Sequence, residues 1–218
     1  MKPLLERLNT QLSLSIPNAS LVLTPLPQCE QLSLWLLPDS YSAASLSNDQ
    51  ITQLMDAPPY WSFCWASGQV LARYILENPA SVAGRCVVDF GAGSGVVAIA
   101  AKLAGAERAI ACDCDPVARD ACALNAEANG VAIDIVSAMS DISDDDIITV
   151  ADVFYDRDNL VLLDDFLQRF QDVWIADSRV KPDSLPGLAQ VAAFDSHTVP
   201  DLQESTEFRY VRLYRRAD

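Results

Sequence analysis

The segment C-V-V-D-F-G-A-G-S-G, residues 86–95, contains the residue types and spacing that could do chemistry. An apolar strand pattern ends at Asp89, and three alternating glycines follow at Gly91, Gly93 and Gly95. Directly behind them, V-V-A-I-A-A-K-L-A has the spacing of a helix. A strand that turns through glycines into a helix presents free backbone N–H groups and the positive end of a helix dipole. The segment therefore predicts a cradle for a polar small molecule at the carboxyl edge of a parallel sheet.

Acidic residues end three of the predicted strands, at Asp89, Asp113 and Asp152. In an open parallel sheet the carboxyl ends of the strands meet along one crevice. An acid one strand–helix unit after a glycine turn can accept hydrogen bonds from both hydroxyls of a ribose. Asp113 therefore indicates a nucleoside-containing cofactor, whereas Asp115, next to Pro116, is predicted to cap the following helix.

The spacing of the glycines selects among nucleoside cofactors. The nicotinamide fingerprint is G-x-G-x-x-G, and a phosphate-binding P-loop needs G-K-S/T, which the sequence lacks. The pattern D-x-G-x-G-x-G, followed by a strand that ends in Asp, is typical of class I S-adenosylmethionine-dependent methyltransferases. The motif therefore predicts S-adenosyl-L-methionine as the cofactor and S-adenosyl-L-homocysteine as the product. The predicted cofactor-binding residues of the motif are Asp89, Gly91, Gly93, Gly95 and Asp113.

The elements around this motif alternate between strands and helices, which predicts a parallel sheet covered on both faces. The predicted strands are 86–89, 108–112, 132–136, 147–151 and 172–176, and the predicted helices are 94–104, 117–129 and 160–170. The tail predicts a helix at 186–192 and two strands, 193–199 and 206–214, that pair as antiparallel neighbours. The predicted fold class is α/β: a doubly wound, mostly parallel, seven-stranded, Rossmann-like sheet with a C-terminal antiparallel strand and an N-terminal extension.

Two regions organise the chain: an N-terminal extension, residues 1–57, packed on a methyltransferase domain, residues 58–218. The extension contains strand-like stretches and a short helix predicted from Ser47. The domain opens with P-P-Y-W-S-F-C-W, in which Tyr60, Trp61, Phe63 and Trp65 are concentrated. These aromatics fit either a plug that seals the domain or a wall of a ligand pocket.

Composition limits the function. The net charge is −15, which repels phosphate backbones and counts against a nucleic-acid substrate. No apolar run reaches the roughly 20 residues of a membrane span, and no signal peptide is apparent, so the sequence predicts a cytoplasmic protein without membrane contact. Six cysteines without a C-x-x-C pair and one histidine, His197, predict reduced thiols and no metal site.

Three segments together resemble the seven-β-strand protein-lysine methyltransferases, in particular bacterial relatives of the electron transfer flavoprotein β-subunit lysine methyltransferase. They are the residues at 58–74, which contain W-x-x-G-Q, those at 87–101, and D-V-F-Y-D at 152–156. The resemblance spans residues 20 to 214 and implies action on lysine in a protein substrate. We expect the protein to be a monomer. The stretch A-D-S-R-V-K-P departs from the D-P-G-R of this group, on the side where the substrate is expected.

The resemblance also implies roles for individual residues. Gly91 and Gly93 would lie against the methionine end of the cofactor, and Asp113 would hold the ribose. Trp65 would lie against the cofactor and Asp141 near the adenine. Ala151 and Asp152 would border the methyl group. Asp152 and Tyr155 would face the incoming lysine as the catalytic pair, with Asp152 orienting the amine.

Alternatives remain open at this point. The acceptor could be an amine on a ribosomal protein or a small molecule such as a nicotinamide-like base. The chain could instead bind the cofactor without catalysis and act through interactions, although the glycine turn, Asp113 and D-V-F-Y-D are intact. Nucleic-acid methylation is disfavoured because the D/N-P-P-Y/F motif for exocyclic base amines is replaced by D-V-F-Y.

Overall fold

The computed structural model describes residues 1–40, 58–142, 147–154, 156–181 and 184–216 of the 218-residue chain. The helix predicted from Ser47 and the predicted catalytic residue Tyr155 lie outside the described residues.

A seven-stranded sheet forms the centre of the molecule, in the order β5-β4-β3-β6-β7-β9-β8. Its strands are β3 (Cys86–Phe90), β4 (Arg108–Cys112), β5 (Asp134–Val136), β6 (Ile147–Ala151), β7 (Asp172–Asp177), β8 (Leu188–Asp195) and β9 (Tyr210–Arg216). The first five strands in this order, β5, β4, β3, β6 and β7, are parallel to their neighbours, and β9 runs antiparallel to both β7 and β8. Strands β4 and β5 lie on one side of β3, and the strands from β6 onward lie on its other side. This reversal between β3 and β6 opens a crevice at the carboxyl ends of the strands.

Helices cover both faces of the sheet, as the alternating pattern predicts. They are α2 (Ala66–Glu77), α3 (Val96–Leu103), α4 (Pro116–Ala128) and α5 (Leu162–Arg169). Neighbouring residues of β3 enter opposite cores: Val87 packs with α2 and α3, and Val88 packs with Phe166 of α5. Burial on both faces explains why β3 is almost continuously apolar. The predicted class, a doubly wound and mostly parallel sheet, is confirmed.

The N-terminal segment contains a helix that the sequence reading did not identify. Helix α1 (Lys2–Ser15) begins with a proline in its first turn, and its buried residues Leu8 and Leu12 are spaced four apart. Both pack against α4, around Leu124. Hydrophobic burial against α4 therefore stabilises α1, and an ion pair between Arg7 and Asp120 lies at the rim of this contact.

Two antiparallel strands follow α1 and form a separate small sheet. They are β1 (Val22–Leu26) and β2 (Cys29–Leu36), and they correspond to the strand-like stretches of the sequence. Asn125 of α4 accepts a hydrogen bond from Trp35 N at 2.7 Å and donates one to Ser94 O at 2.9 Å. A single buried amide thus connects β2 to the glycine turn after β3.

A second side-chain amide joins the beginning of the chain to its end. Gln69 of α2 is fully buried, accepts a hydrogen bond from Gln28 N at 3.1 Å, and donates one to His197 O at 3.0 Å. The side chain of Gln28 in turn donates to Asp195 O at 3.0 Å. The β1–β2 turn is therefore fixed to the segment that follows β8.

The helix predicted at 186–192 is wrong. Residues Leu188–Asp195 form the edge strand β8, which pairs with β9 through a bulge near Gln190. The stretch L-A-Q-V-A-A-F-D has apolar residues at helical spacing. Pairing with β9 overrides this local preference, because an edge strand that is mostly exposed does not need a strict alternation of apolar residues.

Candidate active site

A cavity of about 500 Å³ lies at the carboxyl ends of the central strands, within the size range of ligand pockets. Six of the residues predicted to bind the cofactor or to act in catalysis line it: Trp65, Gly91, Gly93, Asp113, Ala151 and Asp152. The structure therefore brings together residues that are up to 87 positions apart, because the sheet aligns the ends of β3, β4 and β6.

The glycine turn lies at the floor of the cavity, which Gly91 and Gly93 line without side chains. The free N–H groups predicted from the sequence are not found at Gly91, Ala92 and Gly93, because these three N–H groups donate within the protein. Gly91 and Gly93 have φ angles of 69° and 52°, in the left-handed region that favours glycine. A Cβ atom on Gly91 would lie 2.8 Å from Cγ2 of Val153. The N–H groups of Gly91 and Ala92 both donate to Cys112 O, at 2.9 and 3.2 Å, which holds the turn against β4.

Asp113 follows β4 and is fixed by two backbone donors. Its Oδ2 accepts from Gly93 N and its Oδ1 from Asp115 N, each at 2.9 Å. Each carboxylate oxygen can accept a further hydrogen bond, so the side chain can still receive two hydroxyls. Burial raises the pKa of the Asp113 carboxyl, and the hydrogen bonds from these two N–H groups oppose that rise.

Two of the motif residues lie behind the turn and do not line the cavity. Asp89 is almost completely buried and accepts a hydrogen bond from Ala98 N in the first turn of α3, at 3.2 Å. Burial raises the pKa of its carboxyl to about 7. Gly95 has a φ of 79°, and a Cβ atom there would lie 3.1 Å from Sγ of Cys122 in α4. Asp89 and Gly95 therefore hold α3 and α4 close to the turn.

Asp141 lies at the end of a short 3₁₀ turn, Met139–Asp141, that follows β5. Its carboxylate is exposed and accepts hydrogen bonds from Ser137 and Ser140, at 3.3 and 3.4 Å. Asp141 is not among the residues that line the cavity.

Aromatic side chains form one wall of the cavity. Tyr60, Trp61 and Trp65 line it, whereas Phe63 is buried behind Trp65, with ring centroids 5.6 Å apart. Trp65 occupies the N-cap position of α2, and its Nε1 donates to Tyr60 O at 3.0 Å. The aromatic segment is thus both a seal and a wall: Phe63 packs inward, and the other three residues face the ligand space.

Asp152 lines the same cavity and lies directly after β6. It has a φ of 51°, which is rare for a residue other than glycine and is typical of functional sites. Its Oδ1 accepts from Ser67 Oγ at 2.7 Å, and its Oδ2 accepts from Ser67 N at 3.1 Å. Asp152 is partly exposed toward the cavity, yet burial of its carboxyl, with the nearby charge of Asp177, raises its pKa to about 7.

Ser67 and Arg179 complete the site, and the sequence reading identified neither. Arg179 lines the cavity, donates to Glu204 Oε1 at 3.0 Å, and lies 4.5 Å from the ring centroid of Phe208. Arg179 lies in A-D-S-R-V-K-P, the stretch that differs from the D-P-G-R of the lysine methyltransferase group, and this difference could have drawn attention to it. The remaining lining residues, Cys114, Asp115 and Ala118, come from the loop after β4 and the start of α4. As predicted, Asp115 caps α4 by accepting from Val117 N at 2.8 Å.

The described part of the chain lacks two further features. In those residues, no three His, Cys, Asp or Glu side chains are grouped as metal ligands. The same residues contain no helix with the length and apolar character needed to cross a membrane.

Comparison with known sequences agrees with this site. A family model described as ribosomal protein L11 methyltransferase (PrmA) matches residues 71–157, which include the glycine turn, Asp113 and Asp152. The electron transfer flavoprotein beta subunit lysine methyltransferase of Mus musculus is 40% identical over 126 residues, covering 56% of this chain and 49% of that protein. The Danio rerio protein of the same name is 44% identical over 103 residues, covering 45% and 40%. The chain thus spans about half the length of the curated relatives it matches.

Solved structures share the fold. Ribosomal protein L11 methylase from Lactobacillus delbrueckii subsp. bulgaricus superposes with a TM-score of 0.52 at 22% identity, covering 70% of this chain and 79% of that one. A Thermus thermophilus 16S rRNA N2 G1207 methyltransferase, solved with AdoMet and guanosine, has a TM-score of 0.57 at 13% identity, covering 92% and 50%. The chain has the fold of class I methyltransferases and, over about half of its length, is similar in sequence to lysine methyltransferases of the electron transfer flavoprotein β-subunit.

Proposed function

We propose that this chain is an S-adenosylmethionine-dependent methyltransferase that methylates lysine side chains of a protein resembling the electron transfer flavoprotein β-subunit. One observation carries the proposal: a single cavity joins the glycine turn and Asp113 to Asp152 beneath an aromatic wall. Sequence similarity to lysine methyltransferases, 40% identity over 126 residues, supports it.

The residues of the cavity fit S-adenosylmethionine. Gly91 and Gly93 would receive its methionine end, and Asp113 would accept the ribose hydroxyls. Trp65 and Ala151 would border the cofactor, and Asp141 would approach the adenine from the loop after β5. Asp89 and Gly95 would support the turn from behind. When bound, the cofactor supplies a methyl group on a positively charged sulfur.

The acceptor amine must be neutral to react. A lysine with a reference pKa near 10.4 loses its proton at pH 7 at a cost of about 4–5 kcal/mol. The aromatic wall disfavours the ammonium form and so reduces this cost, whereas a carboxylate at Asp152 would raise the pKa of the amine. Asp152 would accept a hydrogen bond from the amine and align its lone pair with the methyl group, together with Tyr155. Positioning of the amine therefore accounts for much of the expected catalysis.

The proposal extends to the setting of the reaction. Residues 58–218 would form the catalytic domain, with residues 1–57 as an extension that supports α4. The partner would be a protein that presents lysine and not a nucleic acid, which accords with the net charge of −15. We propose that the protein acts as a monomer in the cytoplasm and requires no metal.

The experiment is methyl transfer from labelled S-adenosylmethionine to three purified acceptors: electron transfer flavoprotein, ribosomal protein L11 and nicotinamide. We expect label on lysines of the flavoprotein β-subunit, located by mass spectrometry, and no change when a chelator is added. Label on L11 alone would favour the second candidate, which the family-model match at residues 71–157 supports. Label on nicotinamide alone, or no binding of the cofactor in calorimetry, would refute protein-lysine methylation.

A further inference from the structure

The contact between Ser67 and Asp152 is the feature of the site for which the proposed function gives no role. One serine binds both carboxylate oxygens: its hydroxyl donates to Oδ1 at 2.7 Å and its N–H donates to Oδ2 at 3.1 Å. The two residues are 85 positions apart, on α2 and at the end of β6. This pair of hydrogen bonds fixes both the position of the carboxylate and the rotation of its plane.

We propose that Ser67 is a positioning residue that orients the Asp152 carboxylate toward the acceptor amine. This inference rests on the proposed function. Ser67 does not line the cavity, so it acts through Asp152 and touches neither the cofactor nor the acceptor.

Ser67 is itself held rigidly. It is fully buried and is the second residue of α2, where backbone N–H groups have no partner within the helix. The carboxylate of Asp152 satisfies one of these groups and lies at the positive end of the helix dipole. Trp65, the N-cap residue of the same helix, lines the cavity. The start of α2 therefore sets both the aromatic wall and the Asp152 carboxylate.

The backbone of Asp152 requires such an anchor. Its φ of 51° is uncommon for a residue other than glycine, and such a conformation persists where its surroundings hold it. Asp152 N donates to Ala176 O at 3.2 Å, which fixes the backbone on the β7 side. Ser67 fixes the side chain on the α2 side. Removing the serine hydroxyl releases one of these two restraints.

Ser67 and the charges around Asp152 together determine the pKa of the Asp152 carboxyl. Besides Ser67, the carboxyl faces Asp177, whose negative charge raises its pKa, and Arg179, whose positive charge lowers it. The thiol of Cys64 is close enough that Asp152 raises its pKa, and burial keeps that thiol protonated. The two hydrogen bonds from Ser67 favour the carboxylate form and so oppose the effects of burial and Asp177. Loss of the hydroxyl should raise the pKa of Asp152 further above its value of about 7.

The test compares Ser67→Ala with Ser67→Thr, which keeps the hydroxyl, and with Ser196→Ala as a matched control. Ser196 is also fully buried, and its hydroxyl contacts the start of α2 through Ala66 O at 3.3 Å without reaching Asp152. Each variant is first shown to be folded by circular dichroism. Three quantities are then measured: the pH dependence of kcat with electron transfer flavoprotein as acceptor, the Kd for S-adenosylmethionine, and the pKa of the Asp152 carboxyl by ¹³C NMR, assigned with Asp152→Asn.

We expect Ser67→Ala to lower kcat about 10- to 100-fold, the factor that a charge-assisted hydrogen bond represents. The acidic limb of the kcat profile and the NMR pKa of Asp152 should both move up by about one pH unit. The Kd for the cofactor should stay within about twofold, and Ser67→Thr and Ser196→Ala should resemble the wild type.

Equal losses of kcat in Ser67→Ala and Ser196→Ala, or an unchanged pKa of Asp152 in Ser67→Ala, would refute the positioning role. A different pattern would refute the proposed function instead: a wild type that binds the cofactor but labels no protein lysine. The NMR comparison needs no acceptor. In that case a raised pKa of Asp152 in Ser67→Ala would still support the positioning contact, and an unchanged pKa would refute it.

Discussion

Replacing Gly91 by Ala should damage the cofactor cradle through two separable effects. The φ of 69° costs an alanine about 1 kcal/mol relative to glycine. The new Cβ would also lie 2.8 Å from Cγ2 of Val153, a β-branched side chain that cannot easily rotate away. Such overpacking typically costs about 1–3 kcal/mol. The sum is about 2–4 kcal/mol, which for a chain of this size lowers Tm by about 4–16 °C.

The clash should also affect binding, because Val153 follows Asp152 directly. We expect the affinity for S-adenosylmethionine to fall at least about tenfold, since Gly91 lies on the floor of the cavity. Calorimetry measures the affinity, and thermal unfolding measures the stability. Gly130→Ala is the matched control: its φ is 67°, but no atom lies within 4 Å of the added Cβ. It should lose about 1 kcal/mol of stability and keep wild-type affinity.

A double variant isolates the clash. Val153→Ala removes the atom that the new Cβ of Gly91→Ala would approach. The two substitutions should therefore be less than additive, with the double variant more stable than the sum of the single effects implies. Additive losses, or wild-type affinity in Gly91→Ala, would show that the close approach of Gly91 to Val153 does not shape the cradle.

Other substitutions test the rest of the site and its support. Asp113→Asn should weaken cofactor binding about 10- to 100-fold in calorimetry, because hydrogen bonds to a charged acceptor are worth about 1.5–3 kcal/mol; an unchanged Kd would argue against a ribose contact. Asp89→Asn tests linkage: a carboxyl with its pKa raised from 3.8 to about 7 binds more protons in the folded protein, so its contribution to stability falls as pH rises through that window. In the wild type this carboxyl makes the free energy of unfolding fall by up to about 1.4 kcal/mol per pH unit between pH 4 and 7, and Asp89→Asn should remove that contribution. Urea unfolding at several pH values measures it, and an unaltered pH dependence would contradict a raised pKa. Leu8→Ala should cost about 2–5 kcal/mol by opening a cavity between α1 and α4, whereas the exposed Leu14→Ala should change stability by less than about 0.5 kcal/mol; similar losses in both would show that α1 is not anchored by its buried face.

The central half of the fold was predictable because local pattern and tertiary role coincide there. Strand β3 is buried on both faces, so its apolar run and the glycines after it are visible in sequence alone. Helix α1 was missed because only Leu8 and Leu12 are buried, and polar residues surround them. The pattern of edge strand β8 predicts a helix because its pairing with β9, and not its own pattern, determines its conformation.

The site shows the same division. Asp113 and Asp152 follow strands, so the crevice rule predicts that they lie together. Ser67 could not be found in this way, because a serine near a helix start is usually an ordinary capping residue and its partner is 85 positions distant. Arg179 was hidden because its approach to the cavity depends on Glu204 and Phe208, which belong to a loop near the C-terminus. Contacts that depend on the assembled fold leave little trace in local sequence.

The amide of Gln69 also has a consequence for how the protein is made. Its hydrogen bonds, with that between Gln28 and Asp195, join segments separated by up to 167 residues. During synthesis the β1–β2 turn leaves the ribosome long before its partners at residues 195–197 exist. Closing a long loop costs conformational entropy that only the contacts at its ends repay. We therefore expect this turn to lack its hydrogen bonds to residues 195–197 until the chain is nearly complete. The first segment to be synthesised would then be among the last to become fixed.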